Sequence, residues 1–322
     1  MNRREFLSAS AAVCSAEWLL RGLGVGAEEK TADLKIHEIT IPLPIEREVT
    51  ALHISDTHLA YANERDNDAM RDIAAKRLKA FGGKTLEMLR ASVLCAQQRG
   101  ELLLHTGDMI DFVTDENLRL TSEALADRDC FVSSGNHEFA LWGSEQNVGR
   151  SEDEEYKTLS FDRVQAAFPN DLRFCARQVG GINFVAFDDV YYYVADDLID
   201  RFRAEAAKGL PIVAMCHCPL YTPELFDYSL SKDGEKVAYV IGAPDEKMKA
   251  AGYPNHRFRQ QRTNAVTKAF LDYLKEEPQL KAILCGHLHF PWRGKFSETA
   301  EQYVVGGNFF GEANEITFAP MG

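Results

Sequence analysis

Short apolar or β-branched segments alternate with longer amphipathic segments between residues 28 and 322. The short segments predict β-strands, and apolar positions three or four residues apart, such as Leu86, Leu89 and Val93, predict helices. The predicted strands are 34–41, 49–55, 102–106, 130–133, 172–178, 182–187, 212–216, 282–285, 302–305 and 315–318. The predicted helices are 84–98, 115–127, 157–168, 197–208 and 263–276. This alternation favours one layered α/β or α+β domain.

Two long polar segments, residues 61–83 and 222–261, interrupt the alternation. The first is of mixed charge, and the second is rich in Pro, Gly, Lys and Arg. Loops of this length are usually either functional or disordered. We therefore predict that both are insertions that cover part of a single domain spanning residues 28–322.

Residues 1–27 have the pattern of a targeting signal. Paired Arg3 and Arg4, then Phe6 and Leu7 after one spacer residue, resemble the twin-arginine export signal, and the small residues at 25–27 suit cleavage. The alternative is an amphipathic helix that stays on the protein. The apolar run is too short for a stable membrane anchor, and Val13 before Cys14 fits lipidation poorly. We predict a periplasmic or secreted protein that uses the twin-arginine export machinery.

Composition excludes a collagen, a disordered chain, a disulfide-stabilised miniprotein and a polytopic membrane protein. The chain has 322 residues, of which 45% are hydrophobic and 26% charged, as in ordinary globular proteins. Its net charge of −13 argues against specific nucleic-acid binding, and an anionic substrate would need local cations or metal ions. The seven cysteines form no disulfide framework. A disulfide among Cys216, Cys218 and Cys285 is left open.

Polar clusters follow five of the predicted strands. They are Asp56-Thr57-His58, Gly107-Asp108, Gly135-Asn136-His137-Glu138, His217, and Gly286-His287-Leu288-His289. Each cluster alone is ordinary turn chemistry, but together they stand at the sheet edge where α/β folds bind ligands. Carboxylate, imidazole and amide oxygen suit Zn²⁺, Mn²⁺ or Fe²⁺.

This series of motifs resembles the calcineurin-like metallophosphoesterase family. The resemblance implies an α+β fold of four layers (αββα), with a central β-sandwich flanked by helices and a dinuclear metal site at the C-terminal edge of the strands. It also implies a set of seven ligands. Asp56, His58 and His289 would hold one metal, Asp108 would bridge, and Asn136, His217 and His287 would hold the second.

The same resemblance implies a mechanism. Metal-bound hydroxide would attack a phosphomonoester or phosphodiester, and His137 would act as general acid, oriented by Glu138. The alternative role for His137 is a hydrogen bond that supports a ligand. Asp111 stands where purple acid phosphatases have a tyrosine, which favours two divalent ions (Mn²⁺, Fe²⁺ or Zn²⁺) over a ferric site. Asp111 either supports a ligand histidine or caps the helix that follows.

Two other functions compete with a phosphohydrolase that acts on small-molecule or nucleotide phosphoesters. One is a catalytically silent binding module of the same fold, and the other is a pyrophosphate or nucleotide hydrolase. Retention of all seven ligands and His137 favours an enzyme. Weaker candidates are His53 and His105, expected to be buried and neutral; Tyr191–Tyr193, for stacking or packing; 255–259, for phosphate binding or a solvated surface; and 308–311, for a cleft wall.

Overall fold

Two mixed β-sheets lie face to face in the computed structural model, which describes residues 34–147, 152–232, 234 and 236–321. The predicted export signal and its cleavage site lie outside the described residues. The strands in chain order are β1 (Lys35–Leu43), β2 (Val49–Ile54), β3 (Leu102–Thr106), β4 (Cys130–Ser133), β5 (Phe174–Val179), β6 (Ile182–Phe187), β7 (Ile212–Met215), β8 (Leu280–Cys285), β9 (Trp292–Lys295), β10 (Glu301–Val304) and β11 (Glu312–Pro320).

Each sheet combines parallel and antiparallel pairs. The first has the order β1-β11-β2-β3-β4, with β11 parallel to β1 and antiparallel to β2. The second has the order β5-β6-β7-β8-β10-β9, in which β6, β7, β8 and β10 are parallel and β5 and β9 are antiparallel edge strands. Both sheets therefore contain neighbouring parallel strands whose C-terminal ends share an edge.

Helices cover the outer face of each sheet. They are α1 (Asp68–Ala80), α2 (Thr85–Arg99), α3 (Asp115–Leu125), α4 (Glu154–Thr158), α5 (Phe161–Gln165), α6 (Leu198–Ala206), α7 (Pro223–Lys232), α8 (Asp245–Ala250), α9 (Asn255–Gln261) and α10 (Ala265–Glu276). None of the helices among the described residues combines the length and the apolar character needed to cross a bilayer.

Alternation along the strands builds three cores. In β3, Leu102 and Leu104 enter the core between the sheets, whereas Leu103 enters the core beneath α2 and α3. A third core joins the second sheet to α6 and α10 through Phe202 and Phe270. The sequence of layers is helix, sheet, sheet, helix, which confirms the predicted four-layer α+β fold.

The predicted elements and the observed ones differ mainly outside the sheets. The two predicted insertions are not plain loops: the first contains α1, and the second contains α7, α8 and α9. The helix predicted over 157–168 is two short helices, α4 and α5, and β9 was not predicted. Cys216, Cys218 and Cys285 are buried free thiols, so no disulfide joins them.

Candidate metal centre

The strand ends bring the five polar clusters to one place. Asp56 and Asp108 follow the parallel neighbours β2 and β3, and Asn136 follows β4 beside them. His217 and His287 follow β7 and β8, which are parallel neighbours in the second sheet. The edge of the sandwich therefore collects side chains from both sheets at one point.

Asp56, His58, Asp108 and His289 form the first group of potential metal ligands, whose donor atoms all lie within 4.8 Å of one another. His289 Nε2 lies 3.2 Å from Asp56 Oδ1 and 3.1 Å from His58 Nε2. His58 Nε2 lies 3.7 Å from Asp108 Oδ2. This spacing is that of a single-cation site with oxygen and nitrogen donors.

Asp108, His217 and His287 form the second group. His217 Nε2 lies 3.2 Å from Asp108 Oδ2 and 3.0 Å from His287 Nδ1. Asn136 lines the same cleft, and the backbone N–H of the next residue, His137, donates to Asp108 Oδ1 at 2.9 Å. Asp108 is common to both groups, as a bridging carboxylate must be.

The donor set fits cations on several counts. Asp56 Oδ1 and Asn136 Oδ1 are buried and have no hydrogen-bond partner among the described residues. His217 Nδ1 donates to the Thr106 carbonyl at 2.8 Å, which leaves Nε2 facing Asp108. In the neutral ring this Nε2 carries the lone pair that a metal would need. Although burial lowers the pKa of His217, Asp108 raises it to about 10, so a proton is favoured where no metal neutralises that carboxylate.

Most of the predicted ligands have a left-handed backbone conformation, which is uncommon outside glycine. They are Asp56 (φ 55°), His58 (φ 50°), Asp108 (φ 56°), His287 (φ 69°) and His289 (φ 57°). The loops are held in place by backbone bonds between strand ends, such as those from Asp56 N to Gly107 O and from His58 N to Asp108 O, both 2.9 Å. Such strain persists only where surrounding structure enforces it, and it is typical of functional sites.

Asp111 anchors two of the site histidines. Its Oδ1 accepts from His58 Nδ1 at 3.0 Å and lies 3.2 Å from His137 Nδ1, and its carbonyl accepts from His137 Nδ1 at 2.8 Å. Arg77 from α1 donates to both carboxylate oxygens, at 2.6 and 2.7 Å. Asp111 therefore supports a predicted ligand, whereas Thr114 caps the following helix.

Glu138 does not orient His137, contrary to the expectation from the resemblance. Its carboxylate accepts the backbone N–H groups of Asp108, Met109 and Gly135, at 2.9, 2.6 and 2.7 Å. Burial and Asp108 raise the pKa of Glu138 to about 7. Glu138 thus holds the Asp108 loop, and Asp111 takes the orienting role.

Sequence reasoning singled out Tyr192 and Asn308 within two candidate segments but missed that both support the site. Tyr192, buried, places its hydroxyl 2.8 Å from His287 Nε2, which leaves Nδ1 directed at the second group. Asn308 accepts from the Thr57 hydroxyl at 3.1 Å, and Thr57 in turn lies 3.0 Å from His105 Nε2. These partners are distant in the chain, and no local motif announces them.

The weaker candidates fall around the same site. His53 and His105 are buried, and burial lowers the pKa of each to about 3, so both are neutral as expected. The ring of Phe309 lies 5.7 Å from that of His58 and 5.0 Å from that of His289. A cleft of about 500 Å³ opens over the predicted ligands, and Arg257 from α9 lines it.

The four-layer fold with this His/Asp cluster at the strand ends defines a metallophosphoesterase. Residues 49–291 match the family described as calcineurin-like phosphoesterase, so the chain belongs to that family. It is a hydrolase that acts on phosphoric esters, and the family and the cluster together indicate a site for two divalent metal ions.

Solved structures with similar folds share little sequence with the chain. A dimetal phosphatase from Danio rerio is 15% identical, with a TM-score of 0.39, over 81% of this chain and 88% of that chain. A 5'-nucleotidase from Candida albicans is 15% identical, with a TM-score of 0.41, over 86% and 47%. A phosphopantetheinyl hydrolase from Mycobacterium tuberculosis is 15% identical, with a TM-score of 0.41, over 82% and 91%. No curated protein matches the chain.

Proposed function

We propose that the chain hydrolyses a phosphomonoester or phosphodiester with the help of two divalent metal ions. The observation that carries the proposal is the convergence of seven oxygen and nitrogen donors from both sheets, with Asp108 common to two groups. Two of the oxygens, Asp56 Oδ1 and Asn136 Oδ1, are buried and accept no hydrogen bond from the described residues. Groups of this kind are stabilised by binding a cation.

We assign the ligands as follows, and the metals as Mn²⁺, Fe²⁺ or Zn²⁺. Asp56, His58 and His289 would hold one ion, Asn136, His217 and His287 would hold the other, and Asp108 would be shared by both. When bound, such a pair lowers the pKa of coordinated water and neutralises charge that develops on the phosphoryl oxygens. The protein's part is to fix the donors, through Asp111, Thr106 and Tyr192, before the metals arrive.

His137 is assigned as the general acid. Its Nδ1 donates to the Asp111 carbonyl at 2.8 Å, so Nε2 is the nitrogen left to deliver a proton to the leaving alcohol. The residue lines the cleft, and its side chain is partly exposed. Asp111 and the Trp142 ring, 5.1 Å from the imidazole, restrict its orientation.

The assignment is tested by hydrolysis of p-nitrophenyl phosphate and bis-p-nitrophenyl phosphate, with protein loaded with Mn²⁺, Fe²⁺ or Zn²⁺. Asp108→Ala should lose hydrolysis and bound metal, whereas Asp72→Ala, an exposed carboxylate on α1, should keep both. Normal activity of Asp108→Ala at unchanged metal content would contradict the proposal. The ratio of the two rates in the parent protein assigns the substrate as monoester or diester.

His137→Ala separates the acid role from metal binding. The variant should keep both metals, because His137 belongs to neither ligand set. Its loss of kcat should be about 100-fold or more for poor leaving groups and much smaller for p-nitrophenolate, which needs little protonation. Equal losses on both kinds of ester would remove the assignment.

We further propose export through the twin-arginine route, on the evidence of Arg3 and Arg4 in the sequence. Replacing both arginines by lysine keeps the charge and removes the paired guanidinium groups. The variant should accumulate inside the cell, whereas the parent should be found in the periplasm or medium. Equal distribution of the two proteins on fractionation would count against this route.

A further inference from the structure

The cleft above the predicted ligands is rich in cations although the protein is acidic. Beyond the predicted metal ligands and His137, its charged lining residues are Arg77, Lys232, Arg257 and Glu152. The protein as a whole carries a net charge of −13. Outside the predicted ligands and His137, three cationic side chains therefore face one carboxylate in the cleft lining, and this local excess favours an anionic ligand.

The cationic side chains differ in how well they are neutralised. Arg77 is paired with Asp111 through two hydrogen bonds. Neither Arg257 nor Lys232 forms a salt bridge with any carboxylate among the described residues. Arg257 and Lys232 are therefore the cleft cations without a carboxylate partner in the part of the chain that the structure describes.

Arg257 is held in position without being neutralised. Its Nη1 donates to Gln260 Oε1 at 2.9 Å, and its guanidinium lies 5.2 Å from the centre of the Tyr239 ring. Its Nε is buried and has no hydrogen-bond partner among the described residues. The one hydrogen bond of the Arg257 side chain within the described residues is to Gln260, and a preorganised guanidinium with its other donors uncommitted is suited to bind a carboxylate or phosphate.

The Tyr239 ring connects the guanidinium of Arg257 to the edge of the metal centre. Arg257 makes no hydrogen bond with a predicted metal ligand within the described part of the chain. The Tyr239 ring, which stacks with Arg257, also contacts the His287 ring at 6.0 Å. Because the Tyr239 ring contacts both Arg257 and the predicted ligand His287, an anion bound at Arg257 would lie next to the metal centre.

We propose that the cleft selects phosphoesters whose alcohol portion carries a second anionic group, carboxylate or phosphate, and that Arg257 binds this group. The inference rests on the proposed hydrolysis at the metal centre and adds the class of substrate. The cleft volume of about 500 Å³ is that of a small-molecule site. The aromatic side chains of Trp142, Tyr239 and Phe290 in its lining suit a ring or chain between the two anions.

The test uses a matched pair of esters, 4-carboxyphenyl phosphate and the neutral 4-carbamoylphenyl phosphate. The parent protein, loaded with metal, should favour the acid in kcat/KM. In Arg257→Gln the ratio of kcat/KM for the acid to kcat/KM for the amide should fall by about 10- to 100-fold. This is the effect of losing one charge-assisted hydrogen bond. Comparing ratios cancels the difference in leaving group between the two esters.

Arg259→Gln is the control, because Arg259 is an exposed arginine on the same helix and does not line the cleft. It should keep the parent ratio. If Arg257→Gln reduces both esters equally, Arg257 acts on the scissile phosphate and the proposal is wrong. An unchanged ratio in Arg257→Gln overturns it as well.

Binding of the matching phosphonates, 4-carboxybenzylphosphonate and 4-carbamoylbenzylphosphonate, separates this inference from the proposed activity. Calorimetry should give tighter binding of the acid to the parent protein and loss of that preference in Arg257→Gln. Preference in binding without hydrolysis of any ester would support the anion site and contradict the proposed function. Hydrolysis of p-nitrophenyl phosphate without any preference for the carboxylate compounds would support the proposed function and contradict the anion site.

Discussion

At the scale of single residues, the site depends on side chains that do not touch the predicted metals. The Asp111 carboxylate restrains His58, His137 and Arg77 together. Burial raises the pKa of Asp111, but the hydrogen bonds from Arg77, His137 and His58 outweigh it and hold that pKa well below its usual range. Asp111 therefore stays ionised, and it fixes the orientation of the predicted ligand His58 and of the proposed acid His137.

Tyr192→Phe should weaken metal binding by about 10- to 100-fold, because the hydroxyl that orients His287 is lost. Titration of metal-free protein with Zn²⁺ measures this directly. Tyr193→Phe is the control, since the Tyr193 hydroxyl bonds Glu154 at 2.9 Å, away from the predicted ligands. Equal affinities of Tyr192→Phe and the parent would show that His287 needs no such support.

The ligand candidates could be predicted from the sequence because each sits in a short motif after a strand. Their supports could not, because contact depends on the fold: Arg77 is 34 residues from Asp111, and Tyr192 is 95 residues from His287. The left-handed conformation of the ligand residues was equally invisible. The identities Asp and His at those positions do not reveal the backbone angle that the loop imposes.

At the scale of elements, the first insertion contributes to the site through α1. Arg77 projects from it to Asp111 and lies between the Phe81 and Trp142 rings, at 4.8 and 5.0 Å. Sequence periodicity missed the helix because Ala74 is its one fully buried residue, so it has almost no apolar face. The start of α1 is nonetheless marked in the sequence by Asn67, whose side chain caps the helix.

Arg77→Gln should lower kcat for esters with poor leaving groups more than it lowers metal content. The bidentate pair that restrains Asp111 is lost, and with it the alignment of His137. Lys76→Gln, an exposed change on the same helix, is the matched control. Full kcat in Arg77→Gln on poor leaving groups would show that Asp111 holds His137 unaided.

The strands were predicted well and the short helices poorly, for a physical reason. Strands such as β3 and β6 are buried along their whole length, so their apolar runs are unambiguous. In contrast, α4 and α5 have five residues each, too few to display a helical period. The edge strand β9 alternates between half-buried and exposed residues and has little apolar content.

At the scale of the whole molecule, two neutral histidines make stability sensitive to acid. Burial depresses the pKa of His53 and His105 to about 3, below the 6.5 expected when unfolded. The unfolded chain therefore binds more protons between pH 6.5 and 3, and stability falls as pH falls through this window. Each histidine contributes a slope of up to about 1.4 kcal/mol per pH unit.

His53→Gln should reduce this slope by up to about 1.4 kcal/mol per pH unit, the contribution of one proton. Urea unfolding of metal-free protein at several pH values in that window measures the change. The same slope in His53→Gln and the parent would mean that other groups govern acid unfolding.

Ile316→Ala should destabilise the protein by about 2–5 kcal/mol, since Ile316 on β11 is fully buried between the two sheets. Thr317→Ala, at the next position and half-buried, should cost much less. The free energy of unfolding in urea measures both, and similar losses would show that β11 contributes mainly through its backbone.

The position of β11 in the first sheet also determines when that sheet can form during synthesis. This strand comes last in the chain, yet it lies between β1 and β2, and β1 pairs with no other strand in the described part of the first sheet. On the ribosome, β1 waits without its partner until residues 312–320 have emerged. Asp56 follows β2, the other neighbour of β11, so the first sheet closes around Asp56 only once β11 has joined it. Stable metal binding should therefore follow the docking of β11.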